Sequence, residues 1–260
     1  MNKSKTLNIK KKSSKKQKKL SRQFDDLSND NLSKSDSSSY TSKFFNKQAN
    51  KKILSDESEY TILDEFIKRN KQFIVLVLGL PCSNKSEIAK ELVVDLGLPI
   101  LNINNYLVDG KFIDKEVDGV KFKLYEHPDN YNWKKLNEDV GKLKKRGVIL
   151  YGNYLDIDKI DWKPDVTYFI SMGYNICKKK LIEKKLLPYD ENDPKVNIYF
   201  NKIFNPIYDE IKTKFKINRF FNLKEETTFT DVYNELFDGL IGMINSRLKS
   251  GFTPGHKKSH

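Results

Sequence analysis

From residue 73 onward the chain alternates between two kinds of hydrophobic pattern. Residues 73–78 (Phe-Ile-Val-Leu-Val-Leu) are continuously apolar and largely β-branched, as in a strand covered on both faces. A polar loop over 79–86 follows. Residues 87–96 then place Ile88, Ala89, Leu92, Val93 and Leu96 at helical spacing, with Gly97 positioned as a C-cap. Strand, loop and helix make half of a parallel β-α-β unit. The alternation continues with predicted strands at 99–103, 148–151 and 166–170. Helices are predicted at 57–70, at 133–146 with a stop at Gly147, and at 175–185, which is Lys-rich. The 197–215 segment is also helical in pattern, with Pro206 as a kink or a break between two helices. A last amphipathic helix is predicted at 230–249. This order predicts a doubly wound α/β fold, a parallel sheet with flanking helices. No internal repeat is visible.

Charge changes the picture at the N-terminus. Residues 1–52 hold 15 Lys/Arg against 4 Asp/Glu, so of the net +13 only +2 belongs to the remainder. Ten Lys/Arg and no acids occupy positions 1–22, and a Ser-rich stretch follows. Such a segment buries too little apolar surface to offset its ordering entropy and is expected to be a disordered tail. The expected organisation is a basic tail at 1–52, one domain at 53–250 and a short tail at 251–260. The lysines of 10–19 suit polyanion contact or nuclear targeting, or form a solvated tail without a partner. The near-neutral remainder argues against a nucleic-acid groove on the folded part.

Two cysteines and three histidines supply neither a disulfide framework nor a zinc spacing. There is no apolar run of the ~20 residues that a membrane helix needs, and the N-terminus lacks an apolar signal stretch. The expectation is an intracellular protein, cytoplasmic unless the Lys tract directs it to the nucleus, with no membrane contact.

The loop between the first strand and its helix carries chemistry. Gly79, Leu80, Pro81, Cys82, Ser83, Asn84, Lys85 and Ser86 match G-x-x-x-x-G-K-[ST], with Asn84 in place of the second glycine. In such a loop backbone N–H groups and the helix N-terminus surround phosphates. Lys85 reaches the outer phosphates, and Ser86 is the candidate ligand for Mg²⁺. Asn is among the few residues that tolerate the positive φ expected at position 84. ATP with Mg²⁺ is the implied ligand pair.

A second segment sharpens this reading. Residues 125–133 run Tyr-Glu-His-Pro-Asp-Asn-Tyr-Asn-Trp. Together with the loop, this resembles the F-D-H-P-D-A-F-D segment of uridine kinases and related nucleoside kinases, with His127, Pro128 and Asp129 identical. Residues 148–152 (Val-Ile-Leu-Tyr-Gly) resemble the family's V-I-x-E-G strand, and the Lys-rich helix resembles its lid. The likeness spans roughly residues 72–222. It implies a P-loop kinase fold and ATP-dependent phosphorylation of a nucleoside or similar small hydroxyl acceptor. It assigns catalytic roles to Lys85, Glu126 and Asp129, acceptor contacts to Asn104, Glu126 and His127, and lid roles to Lys178, Lys179 and Lys180. Asp109 is a further carboxylate near enough in sequence to accept a proton.

Two departures set limits. The family's proton-accepting Asp after the second strand is replaced by the stretch Asn102-Ile103-Asn104-Asn105, and a neutral amide is no base near pH 7. The family's substrate-binding insertion after the 133–146 helix is missing. The alternative is therefore a nucleotide-binding pseudokinase acting through partners. Taken without the family, His-Pro-Asp also suits an ordinary turn, with Asp129 or Asn132 capping the next helix.

Overall fold

The computed structural model describes residues 61–108, 112–187 and 189–250. The basic tail, the 251–260 segment and Asp109 lie outside the described residues. Five parallel strands form the central sheet: β1 (Ile74–Gly79), β2 (Ile100–Asn102), β5 (Val148–Gly152), β6 (Val166–Met172) and β7 (Arg219–Leu223). Their spatial order is β2-β5-β1-β6-β7, with β1 at the centre. The predicted α/β fold with a parallel sheet is what the chain adopts.

The alternation of side chains along β1 builds two cores. Ile74, Leu76 and Leu78 face one layer with Leu136, Val140 and Tyr208. Val75 and Val77 face the other with Phe66, Ile88, Leu92, Leu236 and Leu240. The second layer consists of α1 (Ile62–Asn70), α2 (Lys85–Leu96) and the long α7 (Phe229–Lys249). The first holds α3 (Trp133–Leu143), α4 (Tyr174–Glu183), α5 (Pro194–Tyr199) and α6 (Asn205–Lys214). All six residues of β1 are buried, because apolar helices cover both its faces.

The predicted 197–215 helix is interrupted just before Pro206, which stands in the first turn of α6, as the expected break between two helices requires. Residues Phe200–Phe204 form a π-helical turn between α5 and α6, and the N–H of Asn205 reaches back to the carbonyl of Phe200. A proline inside a helix lacks an N–H and crowds the carbonyl four residues earlier. Widening the preceding turn accommodates both effects.

The structure adds a hairpin that the sequence pattern above does not include. β3 (Ile113–Val117) pairs antiparallel with β4 (Val120–Leu124) through the two-residue turn Asp118-Gly119. Both turn residues have positive φ, 53° and 73°, as the tight primed hairpin turns require. The hairpin stands between β2 and the His-Pro-Asp segment. β7 is the other strand without a counterpart in the predicted set. No helix among the described residues is long and apolar enough to cross a membrane.

Candidate functional site

Gly79 ends β1 at the sheet centre, and its missing side chain is a packing requirement. A Cβ there would lie 2.1 Å from the carbonyl oxygen of Ile170 on β6. Leu80 N–H donates to that same carbonyl at 3.0 Å, so the loop leaves the sheet already anchored to β6. Two non-glycine residues in the loop adopt the left-handed region, Cys82 (φ 60°) and Asn84 (φ 57°). Asn84 is the N-cap of α2, so the chain turns directly from the loop into the helix.

The loop, with Pro81, Cys82, Ser83, Asn84, Lys85 and Ser86, forms one wall of a cleft at the carboxyl ends of β1, β2 and β5. In parallel α/β sheets this edge is where ligands bind. The opposite wall is Asn102 and Asn104 beyond β2, with Tyr151 and Asn153 at the end of β5. Asn104 faces the cleft, while Asn105 is exposed and does not line it. Glu87 and Lys184 complete the lining.

Ser83 is fully buried, and its hydroxyl oxygen has no hydrogen-bond partner. A buried, unsatisfied hydroxyl costs about 1–3 kcal/mol.

Lys85 is buried, and its ammonium donates a 2.9 Å hydrogen bond to the carbonyl of Leu80. Burial lowers its pKa to about 8 against the electrostatic support of Cys82, Cys177, Glu87 and Glu126. Cys177, on α4, donates through sulfur to the carbonyl of Pro81 at 3.5 Å and so ties that helix to the loop. Burial pushes the Cys177 thiol well up, which keeps it neutral.

Glu126 is buried, within the electrostatic reach of Lys85, and accepts a 3.2 Å hydrogen bond from the Tyr208 hydroxyl on α6. Burial raises its pKa, opposed by the Tyr208 bond, its own backbone N–H and Lys85. Lys85 and Glu126, 41 positions apart in sequence, lie within electrostatic reach of one another, but Glu126 is not among the residues that line the cleft. Asp129 stands apart from them, its side chain 66% exposed, with its N–H donating to His127 Nδ1.

The His-Pro-Asp turn has a structural centre in Asn130. Its amide nitrogen donates to the carbonyls of Leu124 (2.6 Å) and Tyr125 (3.0 Å), and its oxygen accepts from Ile113 N–H (3.2 Å). Those bonds fasten the hairpin to the turn. Asn132 caps α3 by accepting from Lys135 N–H. The candidate lid lysines lie along α4: Lys178 donates to Asn197 at 2.6 Å, Lys179 faces Glu183 at 3.9 Å, and Lys180 lies near the Cys177 thiol. Besides Lys85, the lysine that lines the cleft is Lys184, just past the end of that helix.

Sequence reasoning therefore misses Glu87, Asn102, Tyr151, Asn153 and Tyr208 as candidates and leaves Lys184 off the lid. Signals exist for some of them. Glu87 directly follows the Lys-Ser pair, and Tyr151 and Asn153 flank Gly152 at the end of a buried strand.

Among the described residues no group of three or more His, Cys, Asp or Glu side chains gathers to hold a metal. The sequence matches no protein-family model and no curated protein. Among solved structures the chain is similar to a gluconokinase from Sinorhizobium meliloti 1021, at 12% identity and a TM-score of 0.44 over 71% of this chain and 100% of that one. A shikimate kinase from Aquifex aeolicus aligns at 18% identity and TM-score 0.37, over 65% of this chain and 97% of that one. A thymidylate kinase from Candida albicans aligns at 16% identity and TM-score 0.37, over 66% and 92% of the respective chains.

Proposed function

We propose that the cleft binds the polyphosphate of ATP and that the chain is a kinase-type phosphotransferase of low activity toward a small, nucleoside-like hydroxyl compound. The observation that carries the reading is the loop itself. A buried strand delivers Gly79 to the sheet centre, Asn84 takes the left-handed turn into α2, and Ser83 and Lys85 are buried polar groups on the same cleft wall. The N-terminus of α2 and the loop N–H groups favour an anion there.

In this reading Lys85 leaves the Leu80 carbonyl and meets the outer phosphates, and Lys184 approaches them from the far side. Asn102, Asn104 and Asn153 offer amide groups that orient phosphate oxygens or acceptor hydroxyls. Glu126, within electrostatic reach of Lys85 and hydrogen-bonded by Tyr208, is the carboxylate that would hold or receive an acceptor proton. A divalent cation would be held beside Ser86 and Glu87, the hydroxyl and the carboxylate on the cleft lining, which now share a 2.9 Å hydrogen bond. When bound, it supplies neutralisation of phosphate charge.

The amides of Asn102, Asn104 and Asn153 also favour a second reading, a pseudokinase that holds nucleotide and acts through partners. Neutral amides at the strand ends provide no general base, and a missing base alone costs about 10²–10⁴ in rate. A single-turnover assay with labelled ATP and a panel of nucleosides and sugars separates the two. The expected result is slow transfer, raised when Asn104→Asp restores a carboxylate on the cleft wall. ATP binding with no transfer by either protein would establish the pseudokinase.

A further inference from the structure

We infer that Glu87 is the carboxylate that holds the divalent cation accompanying the nucleotide, a role placed on the first turn of α2 and not at a strand end. The inference rests on the ATP-binding reading above and deepens it.

The far wall of the cleft is where a metal-holding carboxylate would be sought, since strand ends there face the phosphates. This chain places Asn102, Asn104, Tyr151 and Asn153 at those positions. Glu87 is the acidic side chain lining the cleft, and the Ser86 hydroxyl donates to its Oε2 at 2.9 Å. Magnesium is bound in proteins through one or two carboxylates plus substrate phosphates, in near-ideal octahedra with oxygens at about 2.0–2.1 Å. The 2.9 Å between the two oxygens is an ordinary O–H···O hydrogen bond, and a cation bound here would take both oxygens in place of it.

A glutamate in the first turn of a helix also interacts well with the helix dipole, and that role needs no ligand. A second feature of the same cleft calls for one. Ser83 Oγ is fully buried and unpartnered two residues before Lys85, on the wall that faces the phosphates in the ATP reading. Metal and nucleotide would be held from one continuous stretch, with Ser83 and Lys85 on the phosphates and Ser86 and Glu87 on the cation.

The test measures ATP affinity by calorimetry with Mg²⁺ and with EDTA, for the native chain, Glu87→Gln and Glu87→Asp, beside direct Mn²⁺ binding by electron paramagnetic resonance. For the native chain Mg²⁺ should tighten ATP by about tenfold or more. Glu87→Gln should reduce that gain to less than about threefold and weaken Mn²⁺ retention in the ternary complex by about 10–100-fold, as for disrupted metal sites generally. Its affinity for metal-free ATP should instead increase, because a negative charge beside the phosphates is gone. Glu87→Asp should keep part of the metal effect. An unchanged Mg²⁺ gain in Glu87→Gln, or no gain in the native chain, overturns the assignment while ATP binding stands. Absence of ATP binding under both conditions overturns the nucleotide reading itself.

Discussion

Lys85 Nζ donates a 2.9 Å hydrogen bond to the carbonyl oxygen of Leu80, at the other end of the same loop. The loop thus closes on its own lysine, and burial leaves that lysine easy to deprotonate, with a pKa of about 8. Phosphate oxygens would replace the carbonyl and favour the charged form. Binding then takes up a proton wherever the free protein has lost it. ATP affinity should be level below about pH 7 and about tenfold weaker at pH 9 than at pH 7. Calorimetry in buffers of different ionisation enthalpy should register the uptake. Lys85→Arg, which stays charged, should flatten the profile.

The same depressed pKa has a sign for stability. A lysine that is charged in the unfolded chain and neutral when buried makes the unfolded state bind more protons. Stability from this group therefore rises as pH climbs from about 8 toward the usual lysine value, and it is absent below about 8. Urea midpoints of the native chain should rise over this window relative to Lys85→Met, provided that both are unliganded.

Gly79→Ala should be severely destabilising, by about 3 kcal/mol or more, since the new methyl meets the Ile170 carbonyl and neither strand can yield. Gly141→Ala is the matched control. Its added Cβ on α3 meets nothing within 4 Å, and the change should stabilise by about 0.5–1 kcal/mol. Chemical denaturation of both variants checks the contrast.

The His-Pro-Asp segment separates into residues with different work. Asn130→Ala orphans the carbonyls of Leu124 and Tyr125 and the N–H of Ile113, and should cost about 2–4 kcal/mol. Asp129→Ala removes an exposed side chain and should change stability by less than about 0.5 kcal/mol. A large effect of Asp129→Ala on turnover with unchanged stability would give that residue a chemical role which its exposure does not suggest.

Much of this architecture is legible in local pattern. The run 73–78 reads as a doubly covered strand and is one, and Asn84 adopts the left-handed conformation expected of it. The hairpin is harder to see because β3 is almost wholly exposed, so its apolar residues show no core-facing stripe. Its turn, Asp118-Gly119, is the readable signal. Other features depend on distant parts of the chain meeting. Nothing near Glu126 in sequence announces Tyr208, which bonds it from α6, or the electrostatic influence of Lys85 from α2. Nor does the Lys-rich helix reveal that Lys184 is the lysine lining the cleft, since that depends on where α4 ends.

The central claim is that residues 79–86 cradle the phosphates of ATP, and thermal unfolding tests it most directly. A ligand bound only by the folded state adds about 2.7 kcal/mol at 100-fold excess over Kd. Millimolar ATP with Mg²⁺ should raise the melting temperature of the native chain by several degrees, and Lys85→Ala should abolish the rise while still melting cooperatively. An unchanged melting temperature for the native chain, or an equal rise in both proteins, would contradict the account.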